Sequence, residues 1–371
     1  MTGHEVEPIR ICFVILNAYP LFNPEAKGVI GGAEVDSYYI ASELAKDPDY
    51  RVSCIVADYG QEPVEVRESV TLIRALDFNT RRISATLSLW KALRKANAQI
   101  YVRKLSSAVT AEVALFCKRY GHSFVYRTAS AVECDGTYLR EHYFRGKGFL
   151  WSLRHADAVI AQNQTDADNL VKTAGASAQV IRNPERLPQL NEKERRTILW
   201  VGRSADVKRP ELFLEMAKQV PVQHFTMICQ RAIEDKQYDN FVEKAKQIGN
   251  LEFIQRVPFH QIHDHFLQAK VFVNTSNYEG FPNTFIQACK CATPILSLNV
   301  NPDGFLDVHN CGICCNGDWE KFVDSLKGML EREKYTELGK NARKYAEENH
   351  DITKIVEQYK TCFTKIAQNK K

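Results

Sequence analysis

Long hydrophobic runs are missing from this 371-residue chain. The apolar run near its start, Ile11 to Leu16, is six residues and follows charged residues. That is too short for a signal or a membrane span, so it reads as a buried first strand, and the expected location is the cytoplasm. Low-complexity tracts are missing too, which excludes a fibrous or disordered chain. The eleven cysteines are odd in number and scattered, so they read as free thiols in a reducing compartment and not as a disulfide framework. The group Cys289, Cys291, Cys311, Cys314 and Cys315 lacks the paired spacing and the His of a zinc site. It is expected to be small core thiols, with no metal.

What is present fits a soluble globular protein, 44% hydrophobic and 25% charged. The length suits two domains of roughly 150–200 residues. Short β-branched runs alternate with helical patterns throughout. In the first half strands are predicted at 11–16, 51–56, 70–74, 100–102, 123–126, 158–161 and 178–182. Helices fall between them at 35–46, 84–96, 109–120 and 165–173. In the second half strands are predicted at 196–201, 225–229, 251–254, 271–273 and 294–297, with helices at 210–219, 240–248, 261–269, 284–291 and 318–331. Such alternation means parallel pairing and doubly wound sheets. A Pro- and charge-rich linker, 183–193, divides an N-terminal domain, 1–187, from a C-terminal one, 188–350. A terminal helix lies within 351–371.

The net charge of +4 is uneven. From Arg67 to Arg154 sixteen Lys and Arg face six Asp and Glu, a local +10, which leaves −6 for the remainder. The excess gathers in 81–95 and 140–154, where Leu87, Trp90, Tyr143, Phe144 and Trp151 interleave with Lys and Arg. Two readings stand: core-facing amphipathic helices with solvated cations, or contact with an anionic membrane surface. Nucleic acid is not expected as a partner.

The second half is organised around 276–289. A β-branched strand ends at polar Asn274-Thr275-Ser276. Gly280 and Pro282 then break the chain, and a helical pattern starts at Thr284. Pro282 suits the first turn of that helix. A loop at the carboxyl end of a parallel strand is where open α/β sheets bind ligands, and a helix start offers unpaired N–H groups to phosphate. Glu279 then reads either as an acceptor for sugar hydroxyls or as a buried cap. A second loop, Gly202-Arg203-Ser204-Ala205-Asp206-Val207-Lys208, joins the strand 196–201 to its helix. Gly202 permits close approach, Arg203 offers a planar fork of donors, and Lys208 a mobile charge.

The segment Tyr278-Glu279-Gly280-Phe281-Pro282-Asn283-Thr284 resembles the donor-binding signature of family 4 glycosyltransferases, also called group 1 glycosyl transferases. Gly202 to Lys208 resembles that family's diphosphate-binding element, and Gly31-Gly32-Ala33-Glu34 its glycine-rich loop. The resemblance implies the GT-B fold: two Rossmann-like doubly wound domains with a cleft between them and a C-terminal helix crossing back to the first domain. It implies a retaining, metal-independent transfer from a nucleotide sugar, which is substrate and not cofactor, to a saccharide that could be lipid-linked, as in surface polysaccharide assembly. Glu279, Arg203 and Lys208 would carry the chemistry. Gly31, Gly32, Gly202, Val257, Gly280, Phe281, Pro282, Asn283, Thr284 and Gln287 would bind the donor.

Two departures accompany it. The family pattern ends in a second Glu that holds the ribose; here Gln287 stands there. The strand that often ends in a sugar-contacting His reads Phe124-Val125-Tyr126-Arg127-Thr128-Ala129-Ser130, and neither Ser130 nor Asp135 takes over a catalytic role. A sugar-nucleotide epimerase on the same fold, or a saccharide-binding protein with weakened catalysis, are the alternatives. A location at the cytoplasmic face of a membrane goes with the lipid-linked acceptor.

Overall fold

The structure, a computed structural model, describes residues 7–28, 30–75, 82–190, 193–232, 235–258 and 261–370. The chain divides into two compact units, Met1–Pro184 with Ile352–Lys371, and Glu185–Asp351.

The first unit is built on an eight-stranded sheet. Its strands are β1 (Ile9–Val14), β2 (Tyr50–Val56), β3 (Val64–Arg67), β4 (Val70–Arg74), β5 (Ile100–Lys104), β6 (Ser123–Arg127), β7 (Ala158–Ala161) and β8 (Gln179–Val180), in the order β3-β4-β2-β1-β5-β6-β7-β8. All pairs are parallel except β3 with β4. Burial on both faces explains why β5 and β6 are buried throughout, including polar Arg103, Lys104 and Arg127. Four helices matter below: α1 (Gly32–Leu44), α2 (Arg82–Ala96), α3 (Ala108–Tyr120) and α4 (Tyr143–Arg154). Helices α2, α3 and α4 share one apolar core with the sheet, through Leu89 and Leu93, Phe116 and Cys117, and Phe149 and Leu153. Helix α3 stops at Gly121, whose φ of 74° is the left-handed conformation of a helix end. The C-terminal helix Ile352–Asn369 packs on α1 within this unit.

The carboxyl ends of β5 and β6 hold a buried ionic knot. Asp36 of α1 takes hydrogen bonds from Lys104 Nζ and from Arg127 Nε, the latter at 2.7 Å. Arg127 also donates to Ile181 O at 2.9 Å and Asn183 Oδ1 at 2.7 Å, and its guanidinium lies 5.6 Å from the Tyr359 ring of the C-terminal helix. Burial alone would raise the Asp36 carboxyl, but Arg127 and Lys104 outweigh it and hold it below the usual range.

The second unit carries β9 (Thr197–Arg203), β10 (Phe225–Gln230), β11 (Leu251–Ile254), β12 (Ala269–Asn274), β13 (Ile295–Ser297) and β14 (Gly312–Cys314). They form one parallel sheet in the order β11-β10-β9-β12-β13-β14. The order reverses between β9 and β12, the switch point at which such sheets open a crevice. Alternate side chains serve two cores: Ile198, Trp200, Val271 and Val273 on one face, Leu199 and Phe272 on the other. Helix α5 (Pro210–Gln219) covers the first face with Phe213 and Met216; α6 (Asn283–Lys290) covers the second with Phe285, Ile286 and Cys289.

The sequence reading missed one long helix, α7 (Arg332–Asn349). Its buried face is Tyr335, Leu338, Gly339, Ala342, Tyr345 and Ala346 at helical spacing, but small residues and many charges mute the pattern. The stretch at 140–154 proves to be helical, mostly α4. Within the expected linker, Glu185 belongs to the second unit, its amide donating to His350 O at 2.7 Å, and residues 191–192 lie outside the described residues. No helix of the described residues is long and apolar enough to cross a membrane.

Candidate active site

The two loops singled out in the second unit meet at its switch point. After β9 the chain makes one 3-10 turn, Asp206–Lys208, and Arg209 then adopts φ 45° before Pro210 opens α5. After β12 it runs through buried Thr275 and Ser276 to Glu279. A set of hydrogen bonds stitches the loops together. Trp200 Nε1 donates to Thr275 Oγ1 at 3.0 Å, Thr275 Oγ1 donates to Lys208 O at 2.6 Å, and Asn277 N donates to Val207 O at 2.9 Å. Arg209 Nε donates to Thr275 O at 2.9 Å.

Within this frame Lys208 Nζ lies 2.5 Å from Glu279 Oε2, and Asn274 Nδ2 donates to Glu279 Oε1 at 3.1 Å. The pair is partly exposed, so both heads can reach an incoming ligand. Arg203 ends β9 with an exposed side chain that has no hydrogen-bond or ion-pair partner among the described residues. Gly202 has a steric reason: an added Cβ would lie 2.7 Å from the Trp200 ring.

Helix α6 begins beside Glu279. Pro282 is its N-cap and not a residue of its first turn, because its ψ of 126° is extended; the helix starts at Asn283. No side-chain cap bond closes this end, Asn283 and Thr284 are half-exposed, and the positive end of the helix dipole there attracts an anion. Gly280 and Phe281 are buried. The Phe281 ring stacks among Phe305, Tyr345 and His350, which leaves only its backbone for a ligand. Gln287, one turn into α6, is buried, with 8% of its surface exposed. Val257 follows β11, at the carboxyl edge of the same sheet, with β10 between β11 and β9.

Gly31 and Gly32 are in the first unit, where Gly31 caps α1. The Gly31 amide donates to Glu34 Oε2 at 3.1 Å, and a Cβ there would strike that oxygen at 2.7 Å. Glu34 thus closes its own helix end.

Sequence reasoning missed Asn274, which orients Glu279, and Arg209, which grips the opposite loop. The eleven cysteines are free and buried. Cys291 Sγ lies 3.1 Å from His263 Nδ1, and burial pushes that thiol up to about 12, which favours the protonated form. Among the described residues no three His, Cys, Asp or Glu side chains are grouped to hold a metal ion. Arg81 of the basic stretch 81–95 lies outside the described residues.

Residues 182–346 match the family model of glycosyl transferases group 1. A search of curated proteins finds no match. Among solved structures the chain is similar to sucrose-phosphate synthase from Thermosynechococcus elongatus, with TM-score 0.79 and 16% identity over 98% of this chain and 100% of that one. It is similar to WaaG, a glycosyltransferase involved in lipopolysaccharide biosynthesis, with TM-score 0.70 and 15% identity over 95% and 99% of the two chains. It is also similar to an E. coli trehalose-6-phosphate protein bound with UDP-2-fluoro glucose, with TM-score 0.70 and 11% identity over 95% and 98%. The fold is GT-B.

Proposed function

We propose that this chain, a GT-B protein whose second unit carries a group 1 glycosyl transferase domain, moves a sugar from a nucleotide-sugar donor to a saccharide acceptor with retention of configuration. The observation that carries the reading is the Lys208–Glu279 pair, set at the switch point beside an uncapped helix start.

The chemistry follows from where charge develops. As the bond from sugar to phosphate breaks, negative charge grows on the departing diphosphate. Lys208, Arg203 and the amides at the start of α6 would receive it, which stabilises the transition state and needs no metal. Glu279 would exchange Lys208 for the donor sugar's hydroxyls, held in aim by Asn274. Gln287 would reach the ribose with one acceptor oxygen and no charge. Gly202 and Gly280 would allow close backbone approach, and Val257 would meet the base.

A lipid-linked saccharide, as in surface polysaccharide assembly, is the acceptor form that suits a cationic first unit. Gln287 also favours a second reading, a protein that binds a nucleotide sugar with weakened catalysis. Thermal unfolding with UDP, UDP-glucose and other nucleotide sugars tests the donor site: a donor or its diphosphate should raise the midpoint. No shift with any of them would end the reading. Product analysis with saccharide acceptors then separates transfer from binding alone.

A further inference from the structure

The first unit has one face whose composition neither the core nor the donor chemistry explains. Helices α2, α3 and α4 lie side by side over the sheet, joined by the Thr86 to Glu112 hydrogen bond and by Lys118 Nζ, 5.3 Å from the Trp151 ring. Among the described side chains they carry eight Lys or Arg and one acid, Glu112. That carboxyl is half-buried and accepts from Thr86 Oγ1 at 3.3 Å, and one acid leaves the face strongly cationic.

Large apolar side chains stand out from the same face. Phe144 is 85% exposed, Ile83 78%, Tyr143 64% and Leu87 59%. Their arrangement has a direction. Each of these helices follows a strand of the parallel part of the sheet and returns antiparallel to it, so their N-terminal ends lie at the sheet's carboxyl edge. Ile83 and Leu87 occupy the first turns of α2, and Tyr143 and Phe144 the first turn of α4. Towards the C-terminal ends come Lys91, Arg94 and Lys95 on α2, and Lys118 and Arg119 on α3.

Cations at helix C-termini are ordinary, since they complement the dipole. Four large apolar side chains in water along one edge are not. A sulfated or carboxylated polysaccharide would pair with the cations and gain nothing from Phe144 or Ile83; nucleic-acid bases would stack on Tyr143 and Phe144 but gain nothing from aliphatic Ile83 and Leu87. A bilayer surface uses both: headgroup charge meets Lys and Arg, and the apolar fringe enters the acyl boundary.

We infer that the α2–α3–α4 face is a docking surface for an anionic phospholipid bilayer, entered through Ile83, Leu87, Tyr143 and Phe144 at the carboxyl edge of the first sheet. The inference gives the acceptor reading its partner. Its test reads binding and not transfer, so failure here leaves the donor site to stand or fall by itself.

The experiment is flotation of the full chain with phosphatidylcholine vesicles, with and without phosphatidylglycerol. The chain should float with the anionic vesicles only, and less so at high salt. The double variant Ile83→Ser and Phe144→Ser should lower the partition coefficient about tenfold or more while thermal midpoint and circular dichroism stay unchanged, both side chains being exposed. Lys91→Gln with Lys95→Gln should lower it by about tenfold as well. Three results would overturn the inference: no flotation, flotation indifferent to the Ser pair, or binding to heparin that matches vesicle binding and ignores the Ser pair.

Discussion

Lys208 Nζ and Glu279 Oε2 lie 2.5 Å apart, joining the loop after β9 to the loop after β12 across the point where the strand order reverses. A cation and an anion poised together on a partly exposed edge can each take a different part of one ligand: diphosphate for the lysine, hydroxyls for the carboxylate. Lys208→Met removes the cation and leaves the loop bonds of Trp200, Thr275 and Asn277 in place. Turnover on a nucleotide sugar should fall about 10²–10³-fold, and thermal stabilisation by UDP should shrink with it. Turnover within about threefold of the parent, with the fold intact, would remove Lys208 from the diphosphate site.

Gln287 makes the opposite experiment possible. A carboxylate accepts hydrogen bonds about twice as strong as a neutral amide does. Gln287→Glu should therefore tighten UDP binding by roughly 1 kcal/mol, about fivefold, if this side chain meets the ribose. Isothermal titration measures it. Equal or weaker binding, with an unchanged unfolding midpoint, would place the ribose elsewhere.

Much of this site was legible because its signals are local. Strand, loop and helix follow one another within 197–219 and again within 269–290; the adjacency of β9 and β12 that joins the two loops comes from the fold. The rest depends on contacts that spacing does not encode. Asp36 and Arg127 are 91 positions apart and meet only in the folded first unit. Arg209 sits in a run that reads as solvated charge, yet it holds Thr275 O. Helix α7 hides because its buried face includes Gly339 and two alanines, residues that mark close approach and not hydrophobic bulk. Phe281 belongs to the donor loop by position, but its ring belongs to the core.

The Asp36 knot has a pH signature. Its folded carboxyl titrates below the usual range, so the stability it contributes is complete above the unfolded value of about 3.9 and is lost as pH falls through the lower folded value. The urea midpoint of the parent chain should fall steeply below about pH 4. Asp36→Asn leaves Lys104 and Arg127 buried without their counter-charge and should cost about 3–5 kcal/mol at neutral pH. Its midpoint should also vary less with pH on the acid side. An acid limb as steep as that of the parent would mean other carboxylates set it.

Two glycines in helices of the second unit should respond to alanine in opposite directions. Gly339 of α7 faces the turn after α6; an added Cβ would lie 2.1 Å from Ala292 O, and backbone on both sides would have to move. Relief of the glycine's helix penalty, about 1 kcal/mol, cannot offset that clash. Gly339→Ala should destabilise by about 1–3 kcal/mol. Because α7 packs against α6, it should also weaken UDP binding. Gly328, in the helix Trp319–Met329, has nothing within 4 Å of its added Cβ. Gly328→Ala should stabilise by up to about 1 kcal/mol and leave UDP binding unchanged. Denaturant midpoints of the two variants, read beside UDP titrations, decide it. If both shift stability in the same direction, helix propensity and not the close approach of α7 to α6 governs this part of the unit.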